Sequence, residues 1–174
     1  MGSRRQGGDP RVGYDESWYY ATAKELVQHP QLTESVDADV CIVGAGYTGL
    51  SAAIELAEQG FKVVVLESHR VGAGASGRNG GVLGMGQRKD QDELEAMLGL
   101  DVAKQMWQVA CDANGLVRDR IKRYAIDCDL TDGELHVAHR ERYVDDLRRY
   151  NDHLAEHYGY TERRHVSREE VRAM

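Results

Sequence analysis

One stretch constrains this chain more than any other. Val40–Val43 is an apolar run, "VCIV". Then come the glycines of "GAGYTG", a helix-like stretch from Gly49 to Gln59, Gly60, and a second apolar run ending in "KVVVLE" at Glu67. The runs read as strands and the stretch between them as a crossover helix, with Leu50, Ala53, Ile54 and Ala57 on one face. A helical crossover makes the two strands parallel. Apolar runs without alternation further predict strands buried on both faces. Gly60 is expected to cap the helix at its C-terminus. The fold class is therefore α/β.

The glycine spacing is GxGxxG, at Gly44, Gly46 and Gly49. In this strand–turn–helix–strand context it is the signature of a Rossmann-like dinucleotide cradle. Gly44 permits the tight turn, Gly46 leaves room for a pyrophosphate, and Gly49 lets the helix approach the strand. The helix start offers free N–H groups and a favourable dipole to phosphate. Thr48 adds a hydroxyl donor. Glu67, at the tip of the second strand, is placed to accept from ribose hydroxyls, and its charge disfavours the 2′-phosphate of NADP.

FAD and NAD both use this fingerprint. The next stretch, Val71 to Gly86, favours FAD. From Gly72 onward seven of its fifteen residues are glycine, and ordering such a loop costs much backbone entropy unless it rests on something. A flavin dinucleotide gives it that use, with Ser76 and Asn79 donating or accepting and Arg78 offsetting phosphate charge.

Composition narrows the remaining classes. The net charge of -7 and the lack of a basic, aromatic-laced patch exclude a nucleic-acid role. From Cys41 to Gln87 acids and bases balance, as in an interior and ligand cradle, whereas from Arg88 to Met174 there are 19 acids against 15 bases, as on solvated helices. No eighteen-residue apolar run spans a membrane. The opening "MGSRRQGGDPRVG" has no apolar core, so it reads as a disordered tail rather than a signal peptide. Three cysteines, Cys41, Cys111 and Cys128, without CxxC spacing argue against a disulfide scaffold or zinc site and fit the cytoplasm.

Residues 1–35 form an N-terminal arm, with a short helix expected from Ala21 to Gln28, stopped by Pro30, and with Trp18, Tyr19 and Tyr20 packing on the body. Residues 36–125 form the dinucleotide domain. Val102, Met106, Val109, Ala113, Val117, Ile121 and Tyr124 mark a helical face that Asn114-Gly115 is expected to interrupt. "GELHVAH" reads as a strand. Tyr143, Leu147, Tyr150, Leu154 and Tyr158 mark a further helix. Ser167 and Glu170 have capping-box spacing, so a helix begins just where the chain ends. Residues 126–174 thus read as the start of an α+β substrate domain, and the chain as the front part of a longer protein.

Other patterns weigh less. "HLAEH" places His153, Glu156 and His157 in an inverted zinc-protease order, but without a third ligand it reads as a surface helix. His136 and His139 sit on or beside the expected strand and read as ordinary packing or exposure. Cys41 reads as a small buried core residue. No metal site is expected.

The run "DVCIVGAGYTGLSAAIELAEQGFKVVVLESHRVGAGASGRNGG" resembles the FAD-dependent oxidoreductases of the D-amino acid oxidase group. The resemblance covers most of the chain from about Ser17 and is most specific from Asp39 to Gly81. It implies that Gly44, Gly46, Tyr47, Thr48 and Gly49 hold the FAD pyrophosphate and Glu67 its ribose. Ser76, Arg78, Asn79, Gly80 and Gly81 would lie along the pyrophosphate and flavin. Arg78 stands where some relatives attach the flavin through histidine, which implies non-covalent FAD. The implied activity is oxidation of an amine or amino acid at a CH–NH bond, with dioxygen or an electron carrier reoxidising the flavin. An NAD-dependent dehydrogenase and an inactive dinucleotide-binding fragment are the rival readings. No catalytic residue is assigned.

Overall fold

A computed structural model describes residues 18–23, 27 and 29–174. The "MGSRRQGGDPRVG" tail and half of the helix expected over Ala21–Gln28 lie outside them. The helix described in the arm is a single turn, α1 (Trp18–Thr22), with the Thr22 hydroxyl donating to the Trp18 carbonyl at 2.9 Å.

The chain divides into two compact units, the first ending at Val82 and the second spanning Leu83–Met174. In the first, β1 (Val40–Val43) and β2 (Val63–Leu66) pair in parallel, Val40 opposite Val63 and Val43 opposite Leu66. Asp39 extends the pairing: its N–H donates to the Lys62 carbonyl at 2.9 Å and its carboxylate accepts the Lys62 N–H at 2.8 Å. Between the strands runs α2 (Tyr47–Glu58). It ends as expected at Gly60, whose φ of +90° suits a residue without Cβ. The Gly60 and Phe61 N–H groups turn back to the Ala57 and Leu56 carbonyls at 3.0 and 3.1 Å.

Burial on both faces is not observed for β1. Val40 and Ile42 are half-buried on the side where α2 packs, while Cys41 and Val43 are exposed, Val43 by 85%. Side chains alternate across a strand, and among the described residues only one side of β1 is covered. Cys41 is therefore an exposed free thiol, not a core residue.

The second unit is helical. It contains α3 (Gln91–Leu98), α4 (Leu100–Arg123), α5 (Val144–Tyr158) and α6 (Arg168–Ala173). Leu94, Ala103, Trp107 and Leu154 form its buried apolar centre. The Trp107 ring lies 5.4 Å from that of Tyr158 and 5.3 Å from that of Tyr160, an edge-type arrangement that suits aromatic quadrupoles. The Gln91 side chain is buried too and donates to the Ala103 carbonyl at 3.1 Å.

Here α5 has the expected inner face, with Leu154 wholly buried, and Ser167 and Glu170 form both bonds of the capping box at 3.2 and 2.8 Å. Three expectations fail. Asn114-Gly115 does not interrupt α4, because the Asn114 amide is engaged: it donates to the Leu83 carbonyl at 3.0 Å and accepts from Arg118 Nε at 3.0 Å. The buried face of α4 is also rotated from the expected one. Ala103 and Trp107 are buried, whereas Val102, Val109 and Val117 are exposed. "GELHVAH" forms no strand. Its backbone finds no ladder partner among the described residues, and without one an extended segment leaves its N–H and C=O groups to solvent.

Candidate cofactor site

The site is built at the turn leaving β1. Gly44 makes that turn with φ +100°, a value costly for any residue with a Cβ, and donates its N–H to the Leu66 carbonyl at 2.7 Å. Ala45, next in line, is buried and held on both sides. Its N–H donates to Glu67 Oε2 at 2.8 Å, and its carbonyl accepts from the Gly72 N–H at 2.9 Å. The turn is thus pinned to the end of β2 and to the start of the glycine-rich loop.

Gly49 lies where α2 crosses the turn. A methyl there would run into the Gly44 carbonyl and come within 3.2 Å of the Ile42 side chain, so close helix–strand approach excludes a side chain. Gly46 leaves open a different space: a methyl on it would lie 3.0 Å from Ser76 Oγ. The bare backbone of the turn therefore faces the glycine-rich loop across a gap that only glycine keeps clear.

That loop is ordered by its polar side chains. Ser76 sits in a 3-10 turn over Ala75–Gly77, and its hydroxyl accepts the Tyr47 N–H at 2.9 Å. The Asn79 amide donates to the Tyr47 hydroxyl at 3.1 Å and to the Ala75 and Ser76 carbonyls at 3.2 and 2.8 Å, while its oxygen accepts the Gly81 N–H at 2.8 Å. Tyr47, the first residue of α2, thus receives the loop through both its backbone and its side chain.

The Glu67 carboxylate has two backbone donors. Besides Ala45, the His69 N–H reaches Oε1 at 3.0 Å. The Ala45 N–H is the main cause that holds its pKa below the ordinary carboxylate value; partial burial works against it and the His69 N–H adds to it. Glu67 is therefore ionised at neutral pH. A carboxylate has about four lone-pair directions, so capacity for further donors remains.

Gly44, Gly46, Tyr47, Gly49, Glu67, Ser76 and Asn79 are thus joined in one bonded or closely packed set. Gly81 is tied in through Asn79, and a methyl on it would lie 3.4 Å from the Tyr19 hydroxyl. Thr48 is exposed on the first turn of α2; Arg78 and Gly80 are exposed on the loop. The sequence reasoning missed Ala45, although its signal was legible: a small residue between two motif glycines, where a larger side chain would have no space.

The expected surface helix around "HLAEH" has one unexpected feature. His153 turns inward, its Nε2 2.8 Å from Glu95 Oε1, and its ring lies 4.6 Å from that of His157. No metal-binding cluster of histidine, cysteine and carboxylates occurs among the described residues, and none of their helices is long and apolar enough to cross a membrane.

Residues 39–174 match the family model described as FAD dependent oxidoreductase. The gamma-glutamylputrescine oxidoreductase of Escherichia coli (strain K12) is 44% identical over 146 residues, which are 84% of this chain and 34% of that protein. "SWYYATA" and "YAIDCDLTDGELHVAH", from Tyr124 to His139, resemble that branch in particular. A probable oxidoreductase OrdL of Haemophilus influenzae is 42% identical over 144 residues, 83% of this chain and 33% of the relative. One from Rhizobium meliloti is 40% identical over 155 residues, 89% and 36% of the two. The chain thus spans about a third of the length of these relatives. No solved structure gives a significant match. With the family model covering most of its length, this chain belongs to the FAD-dependent oxidoreductases, the family of the D-amino acid oxidases.

Proposed function

We propose that this chain is the FAD-holding part of an amine or amino-acid oxidoreductase that acts on a CH–NH donor. The observation that carries this reading is the paired cradle: the glycine turn at Gly44–Gly49, held to Glu67 on one side and faced by the Ser76–Gly81 loop on the other. NAD gives no comparable use to a second ordered glycine loop.

The residues fit the cofactor. The gap that a methyl on Gly46 would fill against Ser76 leaves backbone accessible to a pyrophosphate. Gly44, Gly46, Tyr47, Thr48 and Gly49 would hold it, helped by the α2 dipole. Glu67, ionised by its backbone donors, would accept from the adenosine ribose and repel a 2′-phosphate. Ser76, Arg78, Asn79, Gly80 and Gly81 would line the path toward the flavin, with Arg78 offsetting phosphate charge. When bound, FAD supplies the acceptor for the hydride removed from the donor carbon. The residues named here bind and orient it; none is assigned to move a proton. Arg78, in the position where some relatives use histidine, supports non-covalent attachment.

The name of the Escherichia coli relative, a gamma-glutamylputrescine oxidoreductase, supports an amine donor. Dioxygen or an electron carrier would reoxidise the flavin. Residues 126–174 would begin an α+β substrate domain after a 36–125 FAD domain. The three free cysteines are consistent with a cytoplasmic location.

The test is a visible spectrum after desalting, with and without added FAD. Flavin bands that travel with the protein support the reading. A colourless protein that instead enhances NADH fluorescence would replace FAD with NAD. Turnover of an amine panel, run on this chain and on one extended to the relatives' length, then decides between an active enzyme and an inactive binding fragment.

A further inference from the structure

The arm touches the Gly72–Gly81 part of the glycine-rich stretch, the loop that faces the glycine turn, at both of its ends. The Arg70 guanidinium, just before the loop, sits over the Tyr20 ring at 4.0 Å from its centroid. At the far end Gly81, with φ +69°, lies against Tyr19, whose hydroxyl would be 3.4 Å from a methyl placed there. Between these points the loop is held by Ala45, whose carbonyl accepts the Gly72 N–H, and by Tyr47, through Ser76 and Asn79. Trp18, the third aromatic, is 75% exposed. Two adjacent tyrosines thus span a segment whose glycines make it entropically costly to order.

We propose that α1 is a strut of the cofactor site: Tyr19 and Tyr20 brace the two ends of the loop from outside and hold it in the conformation that meets the glycine turn. This rests on the FAD reading for its purpose but not for its geometry. A loop closed before the cofactor arrives raises affinity, because apparent affinity scales with the fraction of chain already competent to bind.

The test uses the full chain without flavin. Trypsin cuts after Arg78, within the braced segment, and mass spectrometry gives the rate at that bond separately from the rates in the second unit. Tyr20→Ala should speed cutting there by about two- to fivefold, the loss of one exposed cation–π contact read as an opening equilibrium. Arg70→Met should match it, and the two together should not add, since they remove one contact. Tyr20→Phe keeps the ring and should restore the wild-type rate. Trp18→Ala should change nothing. In the same proteins FAD, followed by flavin fluorescence, should bind more weakly with Tyr20→Ala than with Tyr20→Phe. Unchanged cutting at Arg78 in both Tyr20→Ala and Arg70→Met would overturn the strut. So would equal acceleration in Trp18→Ala, or faster cutting throughout the second unit. A wild-type chain that retains no FAD would count against the cofactor reading instead, because the cutting rates are measured without flavin.

Discussion

Glu67 Oε2 accepts the Ala45 N–H at 2.8 Å across 22 residues of sequence, tying the tip of β2 to the turn out of β1. The bond links two positions of the dinucleotide fingerprint, so the acid itself shapes the cradle. Because the Ala45 N–H lowers the folded-state pKa of Glu67 below its unfolded value of 4.5, its contribution is present above that pH and is lost as pH falls through the folded value. Glu67→Gln should cost about 1 kcal/mol of stability at neutral pH, as for a partly exposed charge-assisted bond. The gap in Tm between the two proteins should close on acidification below about 4.5. A gap independent of pH would show that the carboxylate charge does not hold the turn.

The glycines should fail in different ways. Gly49→Ala drives a methyl into the Gly44 carbonyl, and should destabilise the first unit by about 2–3 kcal/mol, at the upper range for overpacking. Gly46→Ala brings a methyl to 3.0 Å from the Ser76 hydroxyl that accepts the Tyr47 N–H, so it should cost less than Gly49→Ala, which meets backbone. Gly46→Val should fold but lose FAD, because its branches fill the space kept for pyrophosphate. Denaturant melts and flavin retention measure the two effects separately. Retained flavin in Gly46→Val would remove the pyrophosphate assignment.

In the second unit Glu95 Oε1 accepts from the Tyr158 hydroxyl at 2.6 Å and faces His153 Nε2 at 2.8 Å. Burial and then the Glu95 hydrogen bond push the Tyr158 pKa up to about 12. A raised folded-state value means that this stabilisation is complete below the unfolded pKa of 10 and fades as pH rises toward about 12. The wild type should lose stability across that window relative to Tyr158→Phe, whose ring keeps its packing on Trp107. Parallel pH curves for the two would show that the bond to Glu95 contributes nothing.

Gly115 lies inside the unbroken α4, exposed, with nothing within 4 Å of a methyl built on it. Gly115→Ala should therefore stabilise the second unit by about 1 kcal/mol, the difference in helix propensity. A drop in Tm would mean that the helix does not run through this position.

The dinucleotide unit was readable because its signals are local. Gly44, Gly60 and the spacing to Gly49 respond to backbone sterics within a few residues, and the apolar runs on either side name the strands. The Ser167–Glu170 capping box is local for the same reason. The α4 face was misread because that helix carries two apolar stripes, and periodicity alone does not say which one meets Leu94 and Tyr158. Asn114-Gly115 has the composition of a break, yet Leu83 and Arg118 engage the Asn114 side chain and the helix continues.

From sequence alone came the parallel β1–α2–β2 order, the glycine turn, the acid at the second strand's tip and the FAD-dependent family, since each depends on residue type at fixed short spacing. Tertiary structure decided that Glu67 grips Ala45, that Ser76 and Asn79 close on Tyr47, that Tyr20 lies under Arg70 and that Cys41 faces outward. Those outcomes depend on which distant groups meet across the turn, the loop and the sheet. Residue spacing along the chain does not encode such meetings; packing and hydrogen-bond geometry do.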